Sequence, residues 1–188
     1  MKHVATLFLI LITASAFSQQ VQNFSLPNVV DGKNISLSDY SSHSAVVIIF
    51  SLNSCAFDDY YMDRIKTLAQ QYQGKVPFLL VNSDADAGES PDNMIKRAQQ
   101  LSLALPYLAD KNQALMQSLN AHKSAESFLL KNSNGKFTVA YRGAIDDNPQ
   151  MATEVKHFYL KEAVDKCLAG QTIDAPDVRP VGCNIRTK

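Results

Sequence analysis

A run of six apolar residues, Ala45–Phe50, constrains the fold of this chain more than any other segment. It contains no polar residue, which is typical of a strand that is buried on both faces of a parallel or mixed sheet. Residues 56–73 follow with apolar side chains at helical spacing, and residues 76–81 form a second apolar run. This order predicts a right-handed strand, helix, strand crossover, with the first strand near the centre of the sheet.

Cys55 lies at the junction between the central strand and the helix. A thiol at the start of a helix lies near the positive end of the helix dipole and near unpaired backbone N–H groups, which favour the thiolate. A thiolate there can attack disulfides or peroxides. Asp58 and Asp59 stand within one turn, however, and their charges oppose the thiolate. Because the two effects are comparable in size, the sequence leaves the pKa of Cys55 open.

The rest of the chain is predicted to complete a single α/β domain. Turn residues between short apolar segments indicate an N-terminal hairpin, residues 21–26 and 34–37, and a later hairpin, residues 127–130 and 137–141. Helical patterns are found at residues 91–101, 112–119 and 151–168, and residues 171–188 have the character of an extended tail. Cys167 falls on the apolar stripe of the last helix, so its thiol is expected in the core.

Composition indicates one domain and gives no sign of a strongly charged partner. The chain has 188 residues, of which 46% are hydrophobic, and this is enough for one compact domain with a single core. Eighteen Lys and Arg residues balance eighteen Asp and Glu residues, so the charge indicates neither a nucleic acid nor a membrane surface as partner. The four histidines show no metal-ligand spacing, and we expect neither a metal site nor a cofactor.

The first 18 residues have the pattern of a secretory signal peptide. A basic start precedes an apolar run at residues 4–12, and small residues follow it. The run is too short to span a bilayer comfortably, and no cysteine follows it that could carry a lipid. We therefore expect cleavage after Ala16 or Ser18, and a mature domain, residues 19–188, that is periplasmic or secreted and not held in a membrane.

Export has a consequence for the three mature cysteines, Cys55, Cys167 and Cys183. An oxidising compartment allows them to form disulfides. Their odd number leaves at least one thiol unpaired.

Eight short motifs are spread over nearly the whole mature chain. They are FSLP at residues 24–27, DGK at 31–33, SLSDY at 36–40, FSLNSC at 50–55, PYLAD at 106–110, YRGAIDDN at 141–148, YLKEA at 159–163 and RPVGCNI at 179–185. In this order and spacing the chain resembles the redoxin, or thiol-specific antioxidant, superfamily, and within it a peroxiredoxin-like group of thioredoxin-family proteins. The resemblance implies a thioredoxin-like fold with an N-terminal hairpin, a central mixed sheet flanked by helices, and a redox-active cysteine at position 55.

The same resemblance identifies positions at which this chain departs from the family. In the thioredoxin superfamily the second cysteine of C-x-x-C resolves the mixed disulfide, and Asp58 stands there. Another cysteine often lies three residues before the attacking one, where this chain has Leu52. A Thr-Pro-Glu motif with a cis proline normally shapes the docking site, but here Ala125 replaces that proline. Because a cis bond before alanine costs roughly 2.5 to 4 kcal/mol, we expect a trans bond and a reshaped loop.

Cys183 is the remaining candidate partner of Cys55, and three alternatives stay open for it. It could reach back over the domain and resolve a sulfenic acid or a mixed disulfide on Cys55. It could form a purely structural bridge, which would close a loop of about 128 residues and contribute roughly 4 to 5 kcal/mol in the chain-entropy model. If the family's tail cysteine pairs with the position now held by Leu52, Cys183 has no partner.

Polar residues beside the site receive a structural interpretation. Tyr60 and Tyr61 are expected to pack on the sheet, and Arg64 to be solvated on the helix face. Asp146 and Asp147 are expected to make the local hydrogen bonds of a turn.

The sequence therefore predicts an exported thiol-dependent oxidoreductase of the thiol-disulfide exchange or antioxidant type. Cys55 is the candidate nucleophile, and Cys183 is the candidate resolving cysteine. The expected partners are protein thiols or disulfides, or peroxide, together with an external thiol reductant.

Two alternatives to this function remain. One is a non-catalytic thioredoxin-fold module that binds a protein or peptide at a degenerate active site. The other is a one-cysteine peroxidase that does not use Cys183. The peroxidase pattern P-x-x-x-T/S-x-x-C would need a proline at Ile48 and a hydroxyl at Leu52, and the chain has neither.

Overall fold

The computed structural model describes residues 20–174 and 178–188, so the predicted signal peptide at residues 1–18 lies outside the described residues. The strands are β1 (Gln20–Val21), β2 (Ser25–Pro27), β3 (Asn34–Ser36), β4 (Ala45–Phe50), β5 (Phe78–Asn82), β6 (Tyr107–Ala109), β7 (Ser127–Ser133) and β8 (Lys136–Gly143). The helices are α1 (Ala56–Gln71), α2 (Pro91–Gln100), α3 (Ala114–Leu119) and α4 (Tyr159–Leu168). No helix within these residues is long and apolar enough to cross a membrane.

A six-stranded mixed sheet forms the centre of the molecule, in the order β1-β8-β7-β4-β5-β6. β4 is parallel to β5 and antiparallel to β7, and all six of its residues are buried. The central, fully buried strand that the apolar run predicts is therefore confirmed. Strand β6 was not predicted, since it has only three residues and no alternating pattern.

The N-terminal hairpin is confirmed, but the predicted first strand is divided between two sheets. β2 and β3 pair with each other as a separate two-stranded sheet. β1 instead pairs antiparallel with β8 at the edge of the main sheet. Val21 is buried in the same apolar cluster as Phe137, its partner on β8, so burial in the main core draws the start of the chain away from the hairpin.

The last helix begins at Tyr159, eight residues later than the periodicity predicts. Polar side chains in the preceding segment compete for its backbone. The side-chain oxygen of Asn148 accepts the N–H groups of Gln150 and Met151, and that of Asp147 accepts the N–H of Lys156. Such local bonds satisfy backbone groups outside a helix, so the helix starts only after this loop.

The core lies on both faces of the sheet. Val47 and Ile49 of β4 face one apolar cluster, together with buried residues of α1, α2 and α4. Val46 and Ile48 face the other cluster, together with α3 and the N-terminal hairpin. Cys167 is buried within the first cluster, as its position on the apolar stripe of the last helix predicts.

Candidate active site

Cys55 occupies the N-cap position of α1, directly after the loop that leaves β4. Its carbonyl accepts the N–H groups of Asp58 and Asp59 at 3.0 and 3.4 Å. Its side chain is almost fully enclosed, with 1% of the residue exposed. The predicted placement of this thiol at the positive end of the helix is therefore confirmed.

A buried carboxylate holds the loop that leads to Cys55. Glu89 accepts the backbone N–H of Asn53 at 2.6 Å and the N–H and hydroxyl of Ser54 at 3.1 and 2.6 Å. It also accepts the amide of Asn82 at 2.7 Å. No local sequence pattern marks Glu89, which lies in a polar segment 34 residues beyond Cys55.

Cys55 and Cys183 are joined by a disulfide, with an S–S distance of 2.06 Å and 5.9 Å between the two Cα atoms. The structure therefore excludes the alternative in which Cys183 has no partner. Cys183 is partly exposed, whereas Cys55 is buried. The free cysteine among the described residues is Cys167.

The tail segment around Cys183 pairs with the loop before β7 in a short antiparallel backbone pairing, in which Asn184 lies opposite Lys123. The N–H of Ser124 donates to the carbonyl of Cys183 at 2.9 Å, and the N–H of Ile185 donates to the carbonyl of His122 at 2.9 Å. These backbone bonds hold the segment around Cys183 beside the loop, in addition to the disulfide.

Ser124 contacts both cysteines through its hydroxyl. The hydroxyl donates to the Sγ atom of Cys55 at 3.3 Å and accepts the N–H of Cys183 at 3.0 Å. Gly182 lies so close to this residue that a Cβ atom added to it would stand 2.0 Å from the carbonyl oxygen of Ser124. Only glycine allows the tail to approach the loop this closely.

The loop in which Ala125 replaces the family's proline has the trans bond and the altered shape that the sequence predicts. No peptide bond among the described residues is cis, and Ala125 has a φ of 55° in the left-handed region. Glu126 supports the loop by accepting the N–H groups of His122 and Lys123, and it pairs with Arg142 at 2.7 Å.

The two acidic residues that follow Cys55 differ in their surroundings. Asp59 is exposed and pairs with Arg97. Asp58 is buried, and neither carboxyl oxygen makes a hydrogen bond of regular geometry to a described residue.

Burial raises the pKa of Asp58 to about 7, although the nearby Ser124 and Ser51 hydroxyls and the backbone of Leu52 act in the opposite direction. Below that pH its carboxyl is mostly neutral. Asp58 therefore opposes a thiolate on Cys55 less than the sequence suggests.

The expectation that Arg64 is solvated is wrong. Its guanidinium pairs with Asp146 at 2.6 Å and also donates to the backbone carbonyls of Asn148 and Pro149. Tyr61 is buried and donates to Asp146 at 3.3 Å. Asp146 also makes the local bond of a turn, as expected, but its main partners come from α1, and together they connect α1 to the loop before α4.

A known protein family and several solved structures are similar to this chain. The model of the AhpC/TSA family matches residues 17–158. An uncharacterized conserved protein from Geobacillus kaustophilus has a TM-score of 0.82 and 30% identity, over 91% of this chain and 92% of that one. A hypothetical protein from Sinorhizobium meliloti has a TM-score of 0.81 and 23% identity, over 94% and 97%.

A more distant structural neighbour is an exposed lipoprotein thioredoxin from Streptococcus pneumoniae. It has a TM-score of 0.61 and 20% identity, over 79% of this chain and 99% of that one, and it shows the shared thioredoxin-like fold. No match was found among curated proteins. From the family match over residues 17–158, the chain belongs to the AhpC/TSA family, the redoxins, and has their thioredoxin-like fold.

Proposed function

We propose that this protein is a thiol-disulfide oxidoreductase whose redox couple is Cys55 and Cys183. The observation that carries the proposal is the bridge between an N-cap cysteine and a tail cysteine, with the Ser124 hydroxyl in contact with both residues. The family assignment supports thiols and disulfides as the reacting groups. In this proposal Cys183 supplies the thiol that the chain lacks at positions 52 and 58.

The reaction is a two-electron exchange. A thiolate RS⁻ attacks one sulfur of the bridge and forms a mixed disulfide, while the other cysteine leaves as a thiolate. A second RS⁻ attacks the sulfur of R in the mixed disulfide, so that RSSR leaves and the second cysteine is released. Two RSH are oxidised to RSSR, the bridge is reduced to two thiols, and the reverse sequence reduces a disulfide.

The surroundings of Cys55 favour its departure as a thiolate. It lies at the N-terminus of α1, where the helix dipole stabilises negative charge. The Ser124 hydroxyl already points at its sulfur. A thiol with a lowered pKa is a better leaving group, so both features speed the opening of the bridge.

The position of Cys183 favours closure of the bridge. Backbone bonds from Ser124 and Ile185 hold this tail segment beside the active-site loop. A reacting group held in place reaches a high effective concentration. This arrangement supports a reversible couple.

The proposed setting is the periplasm or the extracellular space. The signal-peptide pattern of residues 1–18 supports export, and an intramolecular disulfide is suited to an oxidising compartment. Cleavage after Ala16 or Ser18 would be read directly from the N-terminal sequence of the mature protein.

The test is catalysis of the reduction of hydroxyethyl disulfide, a small neutral disulfide, by dithiothreitol. We expect the wild-type protein to accelerate this reaction and each of Cys55→Ser and Cys183→Ser to abolish the acceleration. Cys167→Ser is the matched control, because it removes a thiol that lies in the core, and it should retain the activity.

Other outcomes favour the alternatives. If the bridge does not open and re-form in dithiothreitol redox buffers, the disulfide is structural and the oxidoreductase proposal fails. If peroxide leaves a lasting sulfenic acid on Cys55 and Cys183→Ser retains peroxide turnover, the protein is a one-cysteine peroxidase. Binding of a peptide without any thiol reactivity would favour the non-catalytic module.

A further inference from the structure

The loop edge beside the bridge is already occupied by the chain's own tail. Ser124 and His122 use their backbone groups to bond Cys183 and Ile185. An extended polypeptide cannot form a strand on this edge while the tail is there.

Contacts beyond the bridge also hold the tail. Arg186 donates its N–H to Asp84 at 2.8 Å, and its carbonyl accepts the N–H of Ala85 at 3.1 Å and the side-chain amide of Gln113 at 2.8 Å. Ile185 is buried in the apolar cluster that contains α3. We therefore expect the tail to stay in place, and the edge to stay covered, when the disulfide opens.

The two bridged residues differ in their exposure to an external reagent. Cys55 is buried beneath the loop, with 1% of the residue exposed, whereas Cys183 is partly exposed. Attack on a disulfide depends on which sulfur can be reached and on how well the other one leaves. Both conditions favour attack at the Sγ atom of Cys183, with Cys55 leaving as the stabilised thiolate, which reverses the order of the two cysteines that the sequence predicts.

A cleft of about 570 Å³ lies beside this part of the tail. Its walls include His122 and Lys123 from the bridged loop, Arg142 from β8, and Arg179 and Pro180 from the tail, with Pro180 three residues before Cys183. This volume accommodates a small molecule, such as an amino-acid or short-peptide derivative.

The charge of the cleft is positive. Glu126 is the acidic residue among its lining residues, and its charge is neutralised by Arg142 at 2.7 Å. Lys123 and Arg179 make no ion pair with any described residue. Two cationic side chains thus remain free to attract an anion in a concave site.

We propose that this cleft binds small thiols and disulfides that carry carboxylates, and that they exchange with the couple at Cys183. The inference rests on the proposed Cys55–Cys183 couple and names its substrate class. A bound thiolate attacks the Sγ atom of Cys183, the Cys55–Cys183 bond breaks, and Cys55 leaves as a thiolate. A second thiolate of the same class attacks the sulfur of the bound molecule, releasing a symmetrical small disulfide and the Cys183 thiolate.

The experiment measures second-order rate constants for reduction of the oxidised protein by two thiols of similar size. These are 3-mercaptopropionate, which is anionic, and 2-mercaptoethanol, which is neutral, and each rate is divided by the fraction of thiolate present. The readout is the mass of alkylated Cys55 and Cys183 after quenching. Comparing protein variants through the ratio of the two rates removes the intrinsic difference between the two thiols.

We expect Lys123→Gln combined with Arg179→Gln to lower the anionic-to-neutral ratio by roughly threefold to tenfold, as for two partly exposed charges. The ratio for wild type should also fall as salt is raised. Lys75→Gln combined with Lys136→Gln is the matched control. It removes two exposed lysines that do not line the cleft, and it should leave the ratio unchanged.

Three results would overturn the inference. One is an unchanged ratio in the cleft variant, and another is an equal fall in the control variant. The third is faster oxidation of the reduced protein by a disulfide-linked unstructured polypeptide than by 3,3′-dithiodipropionate, because the tail would then not keep the edge covered. Catalysis with neutral hydroxyethyl disulfide separates the proposed substrate class from the proposed couple. If one of these three results is found while this catalysis is present, only the substrate class is wrong. If this catalysis is absent, the couple itself is wrong.

Discussion

Asp58 makes the stability of this protein depend on pH in a direction that the structure specifies. Its carboxyl is buried beside the loop that leads to Cys55, and burial raises its pKa from 3.8 to about 7. Between these two values the folded protein binds a proton at Asp58 and the unfolded chain does not. The free energy of unfolding therefore falls as the pH rises through this window, and above pH 7 the contribution of Asp58 is constant.

The size of the effect follows from the shift. Each unit of pKa corresponds to about 1.4 kcal/mol, so a shift of about three units lowers the free energy of unfolding by about 4 kcal/mol between pH 4 and pH 8. Asp58→Asn preserves the shape of the side chain and cannot ionise. The free energy of unfolding of this variant should therefore rise by about 4 kcal/mol relative to that of wild type between pH 4 and pH 8.

The assay is urea unfolding at a series of pH values with the Cys55–Cys183 bridge intact, analysed by linear extrapolation. Asp59→Asn is the matched control, since it removes the neighbouring carboxylate, which is exposed and pairs with Arg97. It should not reproduce the pH-dependent gain. An equal difference in stability between Asp58→Asn and wild type at pH 4 and pH 8 would contradict a raised pKa of Asp58.

Three further perturbations test the surroundings of the site. Loss of the bridge in the Cys55→Ser, Cys183→Ser double variant should lower the free energy of unfolding by about 5 kcal/mol in the chain-entropy model for 128 residues, measured against the oxidised wild type in urea; a loss under 1 kcal/mol would contradict that model here. Gly182→Ala places a Cβ atom 2.0 Å from a backbone carbonyl oxygen, so the fraction of the bridge formed in a dithiothreitol redox buffer should fall, and an unchanged fraction would show that the tail can shift at little cost. Arg64→Met should cost about 2 to 3 kcal/mol in thermal or urea unfolding because it leaves Asp146 without its cation, and adding Asp146→Asn should recover part of the loss.

Local patterns predicted the parts of the fold that depend on neighbouring residues. The apolar run at Ala45–Phe50 predicted a buried central strand, because a strand without polar residues can be stable only where both faces are covered. The N-cap position of Cys55 was predicted from the junction of strand and helix. The first residue of α4 was predicted poorly. It depends on hydrogen bonds that the side chains of Asp147 and Asn148 accept from the preceding loop, and the spacing of apolar residues does not reveal such bonds.

The site depends on contacts between distant segments, and the sequence predicted these less well. Cys183 was a candidate partner of Cys55, but with 128 residues between them no spacing could choose among a resolving, a structural and an unpaired cysteine. Glu89 supports the loop before Cys55 from a different element, and nothing near it in the chain distinguishes it from a solvated acid. The expectation for Arg64 is wrong for the same reason, since its acceptors in the loop before α4 lie more than 80 residues away.

Two of the departures from the family pattern and the bridged tail are parts of one structural arrangement. Ala125 adopts a left-handed conformation with its N–H bonded to the carbonyl of Phe50, and this places Ser124 between Cys55 and the tail. Asp58 lies close to the same serine, at the position that holds the second cysteine of C-x-x-C in the thioredoxin superfamily. Because the loop bonds its own tail, it has no need of a proline shaped to receive an external strand. The replaced residues therefore fit the proposed couple, whose second thiol comes from the tail, and Ser124 is the residue that connects the loop, Cys55 and Cys183 in this arrangement.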